Sequence, residues 1–112
     1  MDIFEKEKIV KKLIGREIIQ ICIGANELIF NFFPNGSLII ENLDEFFIEN
    51  DSMNFKISEI SRELIGLNFS SVNFTIGSVL FSLEEDFEFS VNTENQIYES
   101  ISVNVDGQIA VF

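Results

Sequence analysis

The sequence predicts an α+β domain in which a helix followed by antiparallel strands occurs twice. Three observations predict it. The apolar pattern returns after 51 residues; its spacing changes from helical to alternating after Gly15 and again after Gly66; and turn residues punctuate the alternating stretches. Without a gap, that offset lays Leu13-Ile14-Gly15 on Leu64-Ile65-Gly66 and Phe30 on Phe81. Apolar positions follow: Ile18 falls on Phe69, Ile21 on Val72, Leu28 on Val79, Phe32 on Leu83, Leu38 on Phe89 and Ile40 on Val91. The expected architecture is a tandem duplication, α-β-β-β-β twice plus a C-terminal hairpin, with the helices packed on antiparallel sheet. It forms a single domain over 1–112 with two similar halves, about 1–50 and 51–112.

Each element has a local reason. Asp2 followed by Glu5 is a capping pair for a first helix. Ile9, Val10, Leu13 and Ile14 then recur at three- and four-residue steps, with Lys8, Lys11 and Lys12 on the opposite side, and Gly15 is the expected stop. From Glu17 the period is two. Ile19, Ile21 and Ile23 share one side of a strand, and Gly24-Ala25-Asn26 turns the chain. Leu28, Phe30 and Phe32 form a second strand, the Phe-Pro-Asn-Gly-Ser run at 33–37 turns again, and Leu38 and Ile40 lie on a third. Because both sides of these strands are largely apolar, one face is expected against the helix and the other under further protein.

Leu43 to Ile48 is expected to add a short strand before Glu49-Asn50-Asp51-Ser52, read as a polar connector. A second helix over about Phe55 to Ile65 is expected to bury Ile57, Ile60, Leu64 and Ile65 and to end at Gly66. Strands near Asn68–Ile76, Ser78–Leu83 and Phe87–Val91 follow, the last with Glu88 and Ser90 toward water. Ile97 to Phe112 reads as a hairpin about Asp106-Gly107 that sets Val105 opposite Gln108 and Val103 opposite Ala110.

At 112 residues and 46% hydrophobic content the chain can bury a core unaided, yet no apolar run reaches the roughly 18 residues of a membrane span. The opening MDIFEKEK alternates charge with apolar groups, unlike a signal peptide, and Cys22 is the single cysteine. A cytoplasmic location is the expectation. Net charge is −12 and uneven: residues 1–16 hold five basic groups against three acids, whereas Glu84 to Phe112 hold seven acids and no base. Such a field repels nucleic acid and anionic membranes and speeds encounter with a basic macromolecule, although acidity also keeps a Phe-rich domain soluble.

Catalytic constellations are missing. With no histidine there is no Ser-His or Cys-His couple, and Cys22 sits in an apolar strand with no basic neighbour in sequence to activate it. Zinc lacks ligands, and the acidic run Glu84-Glu85-Asp86-Phe87-Glu88 lacks the spacing and central glycine of a calcium loop. The six glycines are scattered singly, so no phosphate cradle is present. No cofactor and no enzymatic activity are expected. Spaced by two on strands, Phe30, Phe32, Phe81, Phe87 and Phe89 read as core rather than as a base-stacking platform. The Phe46-Phe47 pair beside acids is a candidate partner-binding patch.

The run LIG, the later I-x-x-I-x-I-G, L-I-F-N-F and N-G-S-L-I-I, with Tyr98-Glu99-Ser100-Ile101 and a closing D-G-x-I-A-V, resembles small bacterial immunity proteins of polymorphic toxin and contact-dependent inhibition systems. The resemblance covers most of the chain and brings no catalytic residues. It implies a cytoplasmic inhibitor that binds one cognate toxin domain. Many such toxins are nucleases that need positive charge to hold a phosphate backbone, so an acidic edge can cover that charge. The expected contact surface is Glu84, Glu85, Asp86 and Glu88, extended by Glu94 and Glu99 and anchored by Phe46 and Phe47. The competing expectation is an acidic secretion-type chaperone or a self-associating protein, for which the two-sided apolar strands would suit unfolded clients or a homodimer.

Overall fold

The Asp2 carboxylate accepts a hydrogen bond from the Glu5 amide at 2.9 Å, so the first helix begins where its capping pair requires. The computed structural model describes residues 2–41, 43, 46–94 and 100–112. Helix α1 (Ile3–Lys11) leads into β1 (Glu17–Ile23), β2 (Leu28–Phe33) and β3 (Ser37–Ile40), followed by β4 (Ile48–Asn50) and β5 (Met53–Phe55). Helix α2 (Ile57–Leu64) then leads into β6 (Phe69–Thr75), β7 (Ser78–Leu83), β8 (Glu88–Asn92), β9 (Ile101–Val105) and β10 (Gln108–Val111). Among the described residues the fold is α+β: two α-helices and two five-stranded antiparallel sheets.

The sheet orders are β1-β2-β3-β9-β10 and β5-β4-β8-β7-β6. Each sheet joins three consecutive strands to a hairpin from elsewhere in the chain, β1–β3 to β9–β10 and β6–β8 to β4–β5, the latter straddling the expected boundary between halves. Register repeats with the sequence offset. Ile21 faces Phe30 and Phe30 faces Leu38; at the matching positions of the second half Val72 faces Phe81 and Phe81 faces Phe89. A bulge interrupts β1 between Ile18 and Gln20, and another interrupts β6 between Phe69 and Ser71. The Phe32 amide closes the β2–β3 turn on the Gly36 carbonyl at 2.9 Å, and the Leu83 amide closes the β7–β8 turn on that of Phe87 at 2.8 Å. Near the starts of β1 and β6 the sheets bond to each other. Ile18 donates to Leu67 and accepts from Gly66, while Phe69 donates to Arg16 and accepts from Gly15.

Inward positions of both sheets share one core. Phe30 stacks on Phe89 with centroids 5.5 Å apart, and Phe69 lies edge-on to Phe30 and Phe32, so phenylalanines from the two sheets interlock. Aromatic rings prefer such offset and edge-to-face contacts because the ring edge is positive and the face negative. Helix α1 buries Ile9 and Val10 and contacts β9 and β10 of one sheet and β6 of the other, while α2 contacts β1.

Several elements differ from the sequence expectation. The C-terminal hairpin has the expected register, Val105 with Gln108 and Val103 with Ala110. The segment expected as a polar connector is instead a tight hairpin: Ile48 pairs with Phe55 and Glu49 with Asn54 across Asp51-Ser52, both at positive φ. Among the described residues the first helix is therefore followed by five strands rather than four, and Leu43, Phe46 and Phe47 lie outside any strand. Helix α1 ends at Lys11, well before Gly15; the chain continues through single turns, and Gly15 (φ 83°) serves the link to Phe69. The outward side of β1–β3 is left half-exposed, with Ile19 50% open, instead of lying under further protein.

Candidate functional site: the outward face of the second sheet

The β4–β5 hairpin creates an acidic surface. It brings Glu49 directly opposite Glu88 on β8, in a row that runs Ser82, Glu88, Glu49, Asn54 across four strands. Like charges facing each other across a strand pair are destabilising, and here they stand on the wet side of the sheet. Among the described residues neither carboxylate has a cationic partner; the ion pair found there is Arg16 with Asp106. Phe47, Asn54, Leu80, Phe89 and Ser90 join Glu49 and Glu88 around a shallow concavity of about 210 Å³. Phe47 is 44% exposed at its rim.

The short 3-10 turn Glu84–Asp86 joins β7 to β8 at one end of this face. Glu85 (φ 60°) and Asp86 (φ 63°) take left-handed backbone, and the Glu85 carbonyl accepts a bond of 2.8 Å from the Asn50 side chain. That bond ties the acidic turn to the β4–β5 hairpin. Glu84 points elsewhere: its carboxylate accepts from the Asn68 amide at 2.6 Å, near the junction of the two sheets. The face thus carries Glu88 and Phe47 from the expected residues and adds Glu49, with the Glu85–Asp86 turn held against its hairpin at one end. The alternation Ile48-Glu49-Asn50 on one side of Asp51-Ser52 and Asn54-Phe55 on the other was the signal that could have revealed this pair.

Two expected contributors lie apart. Glu94 follows β8, and its side chain covers Gly77 in the β6–β7 turn, at the far end of β7 from Glu84. A six-residue strand separates them by roughly 20 Å. Phe46 turns inward: its ring meets Phe89 edge-on at 5.4 Å, as a core contact. Glu99 lies outside the described residues.

The first sheet has no such cluster. Its β2–β3 and β9–β10 turns are clamped by Arg16, which donates to the Asn35 carbonyl at 2.8 Å and to Asp106 at 2.8 Å, while the Asp106 amide donates to the Asn35 side chain at 2.9 Å. The Arg16 hydrogen bond, reinforced by Asn35, holds the Asp106 carboxyl below its ordinary value. Cys22 is half-buried on the outward side of β1, level with Ile29. Among the described residues no three acidic, histidine or cysteine side chains are arranged to hold a metal ion, and no helix is long and apolar enough to cross a membrane. No known family, curated protein or solved structure matches the chain.

Proposed function

We propose that this chain is a non-enzymatic acidic inhibitor that binds and neutralises a cognate basic, nuclease-like bacterial toxin domain in the cytoplasm, as an immunity protein does. The observation that carries this reading is the Glu49–Glu88 pair. Two unpaired carboxylates held side by side cost folding stability, and a guanidinium or ammonium group from a partner relieves that cost on binding. Phe47 and Leu80 beside them supply apolar area for an anchor, with the Glu85–Asp86 turn at the rim to steer encounter.

On the same reading the two halves are a tandem duplication. Matching bulges and registers at equivalent positions of the two halves support it. The acidic face then arose by specialising one of two equivalent sheets.

The test is co-expression with the protein encoded beside it in the native host. Capture of a basic protein, rescue of cells from its toxicity, and loss of both on Glu49→Lys with Glu88→Lys are the expected results. Capture of many unfolded clients, or rescue that survives both charge reversals, would favour the chaperone alternative or a different contact surface.

A further inference from the structure

Strand positions related by the sequence offset occupy equivalent places in the two sheets, so their outward faces can be compared residue by residue. On the first sheet one outward row runs Cys22, Ile29, Ile39, Ser102, Val111, and its neighbour runs Gln20, Asn31, Ser37, Asn104, Ile109. None of these ten is charged. A soluble surface carries charge at about a third of its positions, so roughly three were expected. On the second sheet the equivalents of Cys22, Ile29, Ile39 and Ser37 are Asn73, Leu80, Ser90 and Glu88. Ile19, the extra residue of the β1 bulge, corresponds to Ser70. Since one backbone framework tolerates both sets, folding does not demand the apolar one.

We infer that the outward face of the β1-β2-β3-β9-β10 sheet is the contact surface for a second copy of this chain, joined about a twofold axis. Charge selects the occupant. A chain of net charge −12 repels its own copy everywhere that carboxylates would meet, and this face brings only Glu17, at the end of β1 opposite Phe33, and Asp106, which is already paired with Arg16. The chemistry is also its own complement. Side-chain amides such as Asn31 and Asn104 both donate and accept, and an isoleucine row packs on another isoleucine row, as an isologous interface requires. Depletion of charge with a mixture of apolar and amide groups is the composition of an interface core. At about 4.8 Å between strands and about 3.3 Å per residue, the face covers roughly 400 Å². That is about half the usual contribution of one partner, so the dimer is weak and reversible.

Sedimentation equilibrium of the full chain tests this across protein concentration and salt. The expected result is a monomer–dimer equilibrium that shifts toward dimer as salt rises, because screening weakens the repulsion between two acidic copies. Ile29→Lys should lower the association constant by at least about tenfold, since each dimer would bury two unpaired ammonium groups. Leu80→Lys, the same substitution at the equivalent place in the other sheet, should leave it unchanged. Asn104→Asp adds charge at an exposed site without changing size, and it should weaken association even if Ile29→Lys folds poorly; circular dichroism checks the fold of all three. A chain that stays monomeric at every concentration and salt, or a Leu80→Lys variant that dissociates as readily as Ile29→Lys, overturns the inference. The toxin reading is separable, because binding through the acidic face weakens with salt and does not involve Ile29.

Discussion

The Gly15 amide donates to the Phe69 carbonyl at 2.7 Å, and the equivalent bond of the other half, from the Gly66 amide to the Ile18 carbonyl, is 2.8 Å long. Each donor lies just before a strand of one sheet and each acceptor at the start of a strand of the other, so the two halves clasp each other through matching backbone groups. Both glycines are in left-handed backbone, at φ 83° and 96°, and neither has a neighbour that an added Cβ would strike.

Gly15→Ala and Gly66→Ala should therefore destabilise by similar amounts, about 1 kcal/mol each, from backbone strain alone. Gly36→Ala should cost more. Its φ is 121°, and an added Cβ would sit 3.3 Å from Leu13 and 3.4 Å from Val105. Urea unfolding of the three variants checks both the equality and the ranking.

Phe69 touches aromatic rings from both sheets, Phe30 and Phe32 on one side and Phe81 and Phe89 on the other, and is 1% exposed. Phe69→Ala should cost about 3–5 kcal/mol, a large part of a typical total of about 5–15 kcal/mol. Ile76→Ser, at a turn residue 99% exposed, should change stability by less than about 0.5 kcal/mol. Thermal and urea denaturation of the pair separate core from surface.

Much of this framework was legible in the sequence because inward residues obey a period of two wherever one face is buried. That is why the pairing of Val103 with Ala110, and the burial of Phe30 and Phe81, could be read directly. The sheet that each hairpin joins was not legible. Which sheet receives β4 is a long-range choice made after its own residues have set its hairpin, and nothing in Ile48-Glu49-Asn50 names β8 as neighbour. The same strand is expected too early, at Leu43 to Ile48, because Glu49 and Asn50 are polar and the turn, Asp51-Ser52, lacks the glycine that usually marks a tight hairpin. Glu49, the residue that completes the acidic face, falls outside the expected strand. Phe46 and Phe47 illustrate a finer limit: adjacent and chemically identical, they point to the core and to solvent, and only the packing of Phe89 distinguishes them.

Asp106 should make folding sensitive to acid. Its carboxyl is held below the ordinary value, first by the Arg16 hydrogen bond and then by Asn35, so the folded state binds its proton less readily than the unfolded chain does. That stabilisation is present in full above the unfolded-state value and fades as pH falls from there through the lowered folded value. Asp106→Asn removes the ionisation while keeping a residue type that tolerates its φ of 52°. The expected outcome is a smaller loss of stability on acidification for Asp106→Asn than for the parent, measured by denaturant midpoints down the acid range; parallel curves would show that the clamp contributes nothing through charge.

Glu88 ties stability to binding with opposite signs. It faces Glu49 directly across β8 and β4, and Glu88→Gln keeps the shape of the side chain while removing one of two like charges. Relief of that repulsion should leave the free protein as stable as before or more stable, by about 0.2–1 kcal/mol, with the gain shrinking in salt. If the face exists to receive a cation, the same substitution should weaken capture of a basic partner, because the group that would compensate the carboxylate pair loses half of its counterpart. A residue retained only to keep the surface soluble would show the first effect without the second. Measuring unfolding midpoints and partner affinity on the same Glu88→Gln preparation, with Glu94→Gln at the far end of the sheet as the distant control, tells these cases apart.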